Sequence, residues 1–236
     1  MIVKNDLFDY KNRYIFQDTE FFKFSLDSIL LAEFIRPLKD NIKILDMCAG
    51  NMAIPLILST YTNNKIVGFE IQKEVYNLAN ESILYNKLES QLKIINDDIK
   101  NISKYFNRES FDLMLCNPPY FKVNCAHINK QQELSYARHE LAVTLEDLFI
   151  IASKFLKNKG KFYMVHRADR LDEIINLGYK YNVYVKCVQL ISTKKGENPR
   201  IVLIKCSKNS KPNIKIYHEK CIEGVKTYQN YFKEDV

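Results

Sequence analysis

Residues 42–50, Ile-Lys-Ile-Leu-Asp-Met-Cys-Ala-Gly, contain a short apolar run that ends in an acid, Asp46, and passes into a turn that contains Gly50. Residues 53–59 are then apolar at the density of a buried helix. Residues 65–70, Lys-Ile-Val-Gly-Phe-Glu, repeat the order of apolar strand, terminal acid and helix. This alternation predicts crossovers between parallel strands, with helices packed on the sheet.

The rest of the chain continues the alternation. Further strands are predicted at residues 92–95, 111–116, 161–165, 181–191 and 200–206, and further helices at about 142–157 and 168–176. Residues 192–199, which join the last two strands, are too few for a helical crossover, so these strands are expected to pair antiparallel. The predicted fold class is α/β, with a mostly parallel sheet, an antiparallel last hairpin and helices on both faces. Ligands bind such sheets beyond the carboxyl ends of the strands, so the first four strand ends are expected to form one crevice.

Composition places the chain in a broad class. Of its 236 residues, 47% are hydrophobic and 27% charged, which excludes a disordered protein and fits one α/β domain. No apolar run approaches the ~18 residues of a membrane span, and the first residues lack the apolar core of a signal peptide, so a cytoplasmic protein is expected. The six cysteines and four histidines show no metal-ligand spacing, so free thiols and no metal site are expected.

The charge is unevenly distributed. The formal net charge is +7, and residues 154–236 carry 18 basic and 8 acidic side chains, a local charge of +10. The first 153 residues then carry 17 basic and 20 acidic side chains, a charge of −3. A basic C-terminal third indicates a polyanionic partner, nucleic acid before membrane. A lysine-rich surface without a partner explains the charge equally well.

The first two strand ends carry a candidate nucleotide site. Asp46 followed by a turn in which Gly50 lets the backbone approach a ligand is typical of the start of such a site. A glycine-rich turn would read Gly-x-Gly-x-Gly, but Cys48 and Met52 stand at its first and third positions, so a simple strand–helix turn is the alternative. Glu70 follows Asp46 by 24 residues, which suits an acid that accepts both hydroxyls of a ribose.

The next two strand ends offer hydrogen-bond acceptors for amines. Asp98, or its neighbour Asp97, can accept from the exocyclic amine of an adenine, and the sequence does not separate the two. The fourth strand ends at Asn117-Pro118-Pro119-Tyr120. The prolines fix the backbone, so that the Asn117 amide and the Pro118 carbonyl offer two acceptors to one NH2 group, while Tyr120 offers a ring for stacking. A proline turn without a ligand is the alternative.

The order of strand, acid, glycine turn, second acid, third acid and Asn-Pro-Pro-Tyr resembles the class I S-adenosylmethionine-dependent methyltransferases that act on a planar NH2 group. More narrowly, the chain resembles the bacterial tRNA adenine-N(6)-methyltransferases that modify adenine 37 of valine tRNA. Three further segments carry this resemblance: Phe24–Ala32, Ala137–Glu140 with its Arg-His-Glu element, and Gly196–Arg200 before the last strand. The resemblance spans residues 21–205 and implies a Rossmann-like fold with a seven-stranded sheet.

The resemblance also implies a donor site for S-adenosylmethionine. Asp46 and Gly50 would line the methionine side of the donor. Glu70 would bind its ribose, Asp98 would meet its adenine, and Asn117 would contact the donor as well as the substrate.

The substrate side follows in the same way. Asn117, Pro118 and Tyr120 are expected to act as catalytic residues that hold the target base, and Arg138 is expected to position the substrate. The partner would be tRNA, gripped at its phosphates by basic residues of the last third: Lys194, Lys195, Arg200, Lys205, Lys208, Lys211 and Lys215. A monomer that needs no protein partner is expected, with one methyltransferase domain over residues 1–236. About 1–40 would form an N-terminal cap or lid and about 207–236 a basic C-terminal extension.

Other acceptors remain open. A glutamine side chain of a peptide release factor presents the same planar NH2 group, although enzymes of that kind carry an extra N-terminal helical domain and only about 40 residues precede the first predicted strand here. Ribosomal RNA and DNA amino groups are chemically closer alternatives, although DNA enzymes usually carry a target-recognition domain. The alternative from a different class is a non-catalytic RNA-binding relative that has lost the donor.

Overall fold

The computed structural model describes residues 2–7, 10, 12–18, 26–118 and 143–225. Within them the strands are β1 (Ile2–Asp6), β2 (Tyr14–Asp18), β3 (Ile44–Asp46), β4 (Ile66–Phe69), β5 (Leu92–Ile95), β6 (Phe111–Cys116), β7 (Leu156–Arg167), β8 (Val183–Ser192), β9 (Ile201–Lys208), β10 (Lys215–Ile216) and β11 (Lys220–Cys221). The helices are α1 (Leu26–Ile35), α2 (Ala53–Leu58), α3 (Lys73–Tyr85), α4 (Leu145–Phe155) and α5 (Leu171–Lys180), with 3-10 turns at Ile99–Lys104 and Ala168–Arg170. None of these helices is long and apolar enough to cross a bilayer.

One sheet organises these elements. Its order is β5-β4-β3-β6-β7-β9-β8. The strands from β3 to β7 pair in parallel, and β9 is antiparallel to both β7 and β8. The mostly parallel sheet with an antiparallel last hairpin is therefore confirmed. Two short strands, β10 and β11, pair with β8 and bring the sheet to nine strands. The sequence did not predict them, because segments of two residues carry no alternation that a pattern can reveal.

The pairing register brings the carboxyl ends of neighbouring strands level. Asp46, the last residue of β3, pairs with Gly68 in β4 and with Leu115 in β6. Phe69, the last residue of β4, pairs with Ile95, the last residue of β5. The expected convergence of four strand ends on one edge is therefore present. From β3 the chain continues to β4 on one side, and β6 lies on the other side of β3. The carboxyl edge between these strands is therefore a topological switch point, where sheets of this kind bind ligands.

Two apolar cores lie on opposite faces of the sheet. Helices α1, α2 and α3 pack on one face, where Ile29, Leu56 and Ala79 are buried. Helices α4 and α5 pack on the other face through Phe149 and Ile174. Helices on both faces were predicted, and this is confirmed.

The largest boundary error concerns α4 and β7. A helix was predicted to about residue 157 and a strand from Lys161, but α4 ends at Phe155 and β7 begins at Leu156. The strand starts early because Leu156 already pairs with Phe111 of β6. The next residues of β7 are polar and exposed, so their strand conformation depends on backbone pairing and leaves no apolar pattern in the sequence.

The N-terminal segment contains a hairpin that the sequence pattern did not predict. Strands β1 and β2 pair antiparallel, and β2 is fixed to α3 by hydrogen bonds. The Phe16 amide donates to Ser82 Oγ at 2.9 Å and the Tyr14 amide to Asn86 Oδ1 at 3.0 Å. Part of the expected N-terminal cap is therefore a hairpin on the outer helix α3, while α1 packs against α2 and the sheet.

Gly68 provides the space in which the turn after β3 is packed. A Cβ atom at this position would lie 2.5 Å from Met52 Sδ and 2.6 Å from Ala49 Cβ. Met52 has a left-handed φ of 65°, and its side chain is fully buried in the core. The bulk at position 52, which departs from a glycine-rich turn, is therefore accommodated inside the core by the missing side chain at Gly68.

We predict that Gly68→Ala destabilises the protein by about 1–3 kcal/mol, because the new methyl group overpacks a site whose Ala49 neighbour belongs to a short, hydrogen-bonded turn. Equilibrium denaturation with urea measures this difference. An unchanged free energy of unfolding would show that the turn moves freely and that its fit against β4 is not a constraint.

Candidate active site

Asp46 is the most unusual side chain at the switch point. It is 1% exposed, and neither carboxylate oxygen has a hydrogen-bond partner among the described residues. Burial raises the pKa of Asp46 to about 8, the nearby Cys48 amide lowers it, and the charge of Glu70 raises it further. A buried carboxylate without a partner costs free energy, so its place at this edge indicates a ligand that offers donors or positive charge.

The turn after Asp46 is attached to both neighbouring strands. The Met47 amide donates to the Leu115 carbonyl at 3.0 Å, and the Ala49 amide donates to the Phe69 carbonyl at 2.9 Å. Gly50 has a φ of 52°, and no heavy atom lies within 4 Å of the position that a Cβ would take. The backbone at Gly50 is therefore rigidly placed beside open space, as a surface for close approach of a ligand must be.

Glu70 is positioned by the same turn. Its side chain is 8% exposed, and its Oε2 and Oε1 atoms accept hydrogen bonds from the Gly50 amide at 3.1 Å and the Gln72 amide at 2.8 Å. The Asn96 side chain donates to the Glu70 carbonyl at 2.9 Å. Each carboxylate oxygen can accept more than one hydrogen bond, and Glu70 is preoriented by backbone amides at the edge where ligands are expected.

The structure distinguishes Asp97 from Asp98. Asp97 accepts from the Asp98 amide at 2.8 Å, the Asn101 side chain at 2.7 Å and the Tyr105 hydroxyl at 2.9 Å, and these donors lower the pKa of Asp97. Asp98 caps the following 3-10 turn through one oxygen, which accepts from the Lys100 amide at 2.9 Å. Its other oxygen faces the Lys100 ammonium at 3.4 Å. Asp97 therefore stabilises the loop, and Asp98 is the better candidate for ligand contact.

Asn117 directly follows β6, and its side-chain amide is held by a residue of α1. Its Nδ2 atom donates to Ser28 Oγ in α1 at 3.1 Å. Ser28 is 5% exposed, and Pro118 is buried. The sequence drew attention to the segment that contains Ser28 but assigned this residue no role. Its position 89 residues before Asn117 leaves no local signal.

Several expected substrate residues lie outside the described part of the chain. These are Tyr120 and the Arg138-His139-Glu140 element. Their roles therefore stay predictions.

The basic residues expected to bind RNA do not all lie in one place. Lys194, Lys195 and Arg200 are exposed in the turn between β8 and β9, and the Arg200 carbonyl accepts from the Ala168 amide at the end of β7. This turn lies at the carboxyl edge, as the site does. Lys205 lies four residues inside β9 and is half-buried.

Lys208 differs from the other basic residues. It is buried at the opposite edge of the sheet, where its ammonium donates to Glu109 at 2.9 Å and to the Leu156 carbonyl at 2.8 Å. Contact with RNA was expected for Lys208, but its buried ion pair gives it a structural role. A count of charges along the sequence cannot detect such a partner, because Glu109 is 99 residues away.

Together these groups suit a nucleoside ligand with a charged tail. Glu70 and Asp98 offer acceptors for the ribose and the base of such a ligand, and the backbone at Gly50 leaves room for the ligand to approach closely. Asp46, which has no hydrogen-bond partner among the described residues, favours hydrogen-bond donors in the charged tail of the ligand. Among the described residues no three His, Cys, Asp or Glu side chains form a group that could hold a metal ion.

Comparisons with known proteins agree with this geometry. A family model described as a methyltransferase domain matches residues 38–231. A curated relative from Bacteroides thetaiotaomicron, named tRNA1(Val) (adenine(37)-N6)-methyltransferase, is 26% identical over 215 residues, which cover 89% of this chain and 87% of the relative.

Two solved structures share the fold. P. horikoshii TYW2 in complex with MeSAdo superposes with a TM-score of 0.63 at 14% identity, covering 89% of this chain and 72% of that one. Geranyl diphosphate C-methyltransferase from Streptomyces coelicolor, in complex with S-adenosyl-L-homocysteine, has a TM-score of 0.55 at 9% identity, covering 77% of each chain.

We predict that Asp46→Asn stabilises the ligand-free protein by roughly 1–3 kcal/mol at pH 8.5, because it removes a buried charge without a partner. The folded pKa of about 8 lies above the ordinary value of 3.8 for an aspartate. The wild-type protein therefore loses stability as the pH rises from about 4 to about 8, and its deficit against the variant grows over this range. Denaturation at pH 5, 7 and 8.5 measures this deficit. A variant less stable than the wild type, or a pH-independent difference, would contradict the account.

Proposed function

The chain belongs to the methyltransferase-domain family, and from this premise we propose that it methylates the exocyclic N6 amine of an adenine in tRNA, namely adenine 37 of valine tRNA. The observation that carries the proposal is the position of Asn117 and Pro118. They follow β6 directly beside the two acids of the donor side, and the Asn117 amide is oriented by Ser28. The tRNA substrate is supported by the curated relative, whose name states that reaction.

S-adenosylmethionine is the methyl donor, and the described residues suit it. Asp46 and the open backbone at Gly50 would hold its methionine part, Glu70 its ribose hydroxyls, and Asp98 its adenine amine. When bound, the donor supplies an electrophilic methyl carbon attached to a sulfonium, and the sulfur keeps the bonding electron pair as the carbon–sulfur bond breaks. Positioning supplies most of the acceleration in such an in-line displacement.

Asn117 and Pro118 act on the attacking amine. The Asn117 Oδ1 atom and the Pro118 carbonyl accept the two hydrogens of N6, which draws the nitrogen lone pair away from the purine ring and makes it nucleophilic. The new nitrogen–carbon bond leaves a positively charged nitrogen, which releases one proton to water, so no side chain has to act as a base before transfer.

Ser28 holds the nitrogen end of the Asn117 amide. Because Ser28 Oγ accepts from Nδ2 at 3.1 Å, the carbonyl oxygen of the amide is directed away from α1. In the opposite orientation the NH2 group of Asn117 would face the N6 amine of the substrate. Both groups donate hydrogen bonds, so they would repel each other. Ser28 is therefore a positioning residue that acts through Asn117.

The adenine has to leave its stack to reach these acceptors, as bases do in other base-modifying enzymes. Tyr120 would stack on it, and Arg138 would help to position it. The exposed Lys194, Lys195 and Arg200 would hold the neighbouring phosphates. We propose that residues 1–236 act as one methyltransferase domain, with a cap at 1–40 and an extension at 207–236, and work as a monomer in the cytoplasm, where the tRNA is found.

A transfer assay with defined acceptors tests the proposal. The purified protein is incubated with radiolabelled S-adenosylmethionine and either unmodified valine tRNA or a peptide release factor, and the products are digested to nucleosides or amino acids. Label in N6-methyladenosine at position 37 is the expected result. Label in glutamine would establish the release factor as substrate, and no label in either acceptor would favour a non-catalytic RNA-binding protein.

We predict that Asn117→Ala lowers kcat by about 10²–10³-fold, the usual effect of removing one preorganised hydrogen-bonding group at a reacting centre. Donor affinity should change by less than about tenfold, because the two acids and Gly50 remain. Asn63→Ala, which alters an exposed asparagine away from the site, is the matched control. Single-turnover kinetics and calorimetric titration of the donor separate the two effects, and a loss of donor binding without a change in kcat would refute the role.

We predict that Ser28→Ala lowers kcat by about tenfold, since a freely rotating amide loses the net free energy of one hydrogen bond, about 1–1.5 kcal/mol. The KM for tRNA and the Kd for the donor should stay unchanged, and Ser28→Thr, which keeps the hydroxyl, should recover most of kcat. Ser153→Ala removes a comparable hydroxyl from α4, where it bonds only to the Ile150 carbonyl, and serves as the control. Equal losses in Ser28→Ala and Ser28→Thr would indicate a packing role instead.

A further inference from the structure

A group of lysines lies on the sheet face against which α1 packs. Tyr163 of β7 is buried on this face and contacts Phe34 of α1 edge-to-face at 5.9 Å. Lys161 precedes Tyr163 by two residues and so points to the same side of the strand. Lys205 of β9 pairs with Tyr163 in the register. Lys186 of β8 and Lys39 after α1 complete the group, which we call the lysine face.

The ammonium groups of Lys205, Lys186 and Lys39 are close enough to Lys161 to act on it. Burial lowers the pKa of Lys161, and the positive charges of Lys205, Lys186 and Lys39 lower it further. Burial acts in the same direction on Lys205, but Tyr163, with smaller effects of Cys187 and Tyr217, outweighs it and raises the pKa of Lys205. Lys161 therefore lies partly desolvated beside like charges.

The partners of these lysines in the protein are neutral. Lys161 donates to Ser207 Oγ at 2.8 Å and Lys186 to the Lys211 carbonyl at 2.8 Å. Lys205 lies 5.5 Å from the centroid of the Tyr163 ring. Within the described residues none of the four lysines forms an ion pair.

Other shielded lysines of the same sheet have carboxylate partners. Lys208 lies 2.9 Å from Glu109 and Lys220 lies 2.9 Å from Glu33. Lys161 and Lys205 are partly buried as well, yet they face like charges and neutral groups. A partly desolvated cluster of one sign costs free energy in the free protein, and a bound anion offsets part of that cost. The cluster is therefore suited to bind a polyanion from solution.

Helix α1 links the lysine face to the candidate active site. Lys205 lies four residues from Ile201, which is at the carboxyl edge of the sheet, a distance of about 13 Å along the strand. Helix α1 runs between the two places, since Ser28 in its first turn bonds to Asn117 and Phe34 near its end contacts Tyr163. A strand of RNA whose modified nucleotide lies at Asn117 can follow α1 to the lysines.

We propose that the lysine face binds the phosphodiester backbone of the substrate RNA at a distance from the modified base. This inference rests on the proposed function, because it takes RNA as the polyanion. It adds Lys39, Lys161 and Lys186 to the RNA-contacting residues, and it separates Lys205 from the exposed turn that contains Lys194, Lys195 and Arg200.

The test measures RNA binding without turnover. Fluorescence anisotropy with a labelled, unmodified valine tRNA transcript gives Kd between 50 and 200 mM KCl for the wild type and for the double variant Lys161→Gln/Lys205→Gln. Loss of two phosphate contacts should reduce the slope of log Kd against log salt by about 1–2 and weaken binding several-fold at low salt. The donor Kd and kcat at saturating RNA should not change, whereas the KM for tRNA should rise.

The control is Lys65→Gln/Lys93→Gln, which removes two exposed lysines from the opposite end of the sheet. Thermal unfolding checks that the lysine-face variant folds, and its Tm should not fall, because repulsion is relieved. An unchanged salt slope of the variant overturns the inference. It is also overturned if the variant loses affinity for vesicles containing phosphatidylserine while it still binds tRNA normally. If the wild type methylates tRNA while the variant binds it normally, this inference fails alone. If the wild type binds no tRNA, the proposed function fails with it.

Discussion

The parallel pairing of β4, β3 and β6 in a level register is the constraint on which the rest of the structure depends. It sets Asp46, Glu70 and Asn117 beside one another although they are far apart in the chain. The turn after β3 is fixed by hydrogen bonds to both neighbouring strands and fits only because Gly68 has no side chain. Small changes in this pairing would move every group of the site at once.

The two acids proposed to hold the methyl donor, Asp46 and Glu70, are positioned in different ways. Glu70 is oriented by the backbone amides of Gly50 and Gln72, so its position is set before a ligand arrives. Asp46 is buried without a hydrogen bond from the described residues and weakens the free protein. A ligand that offers donors to Asp46 would offset this cost.

Much of the fold was accessible from the sequence, because buried parallel strands are continuous apolar runs. Strands β5 and β6 were predicted with their observed bounds, and the strand-end acids marked the crevice. What the sequence could not show depends on pairing across the fold: the polar start of β7, the two-residue strands β10 and β11, and the hairpin on α3. Ser28 and the buried ion pair of Lys208 were missed for the same reason, since their partners are 89 and 99 residues away.

The central claim is that four strand ends form one site for donor and amine, and a crystal structure with S-adenosylhomocysteine tests it most directly. The account predicts the ribose hydroxyls on Glu70, the adenine near Asp98, the amino-acid part beside Gly50 and Asp46, and the sulfur facing Asn117. A ligand bound away from the carboxyl edge, or bound there with Glu70 unengaged and its sulfur turned from Asn117, would contradict the account.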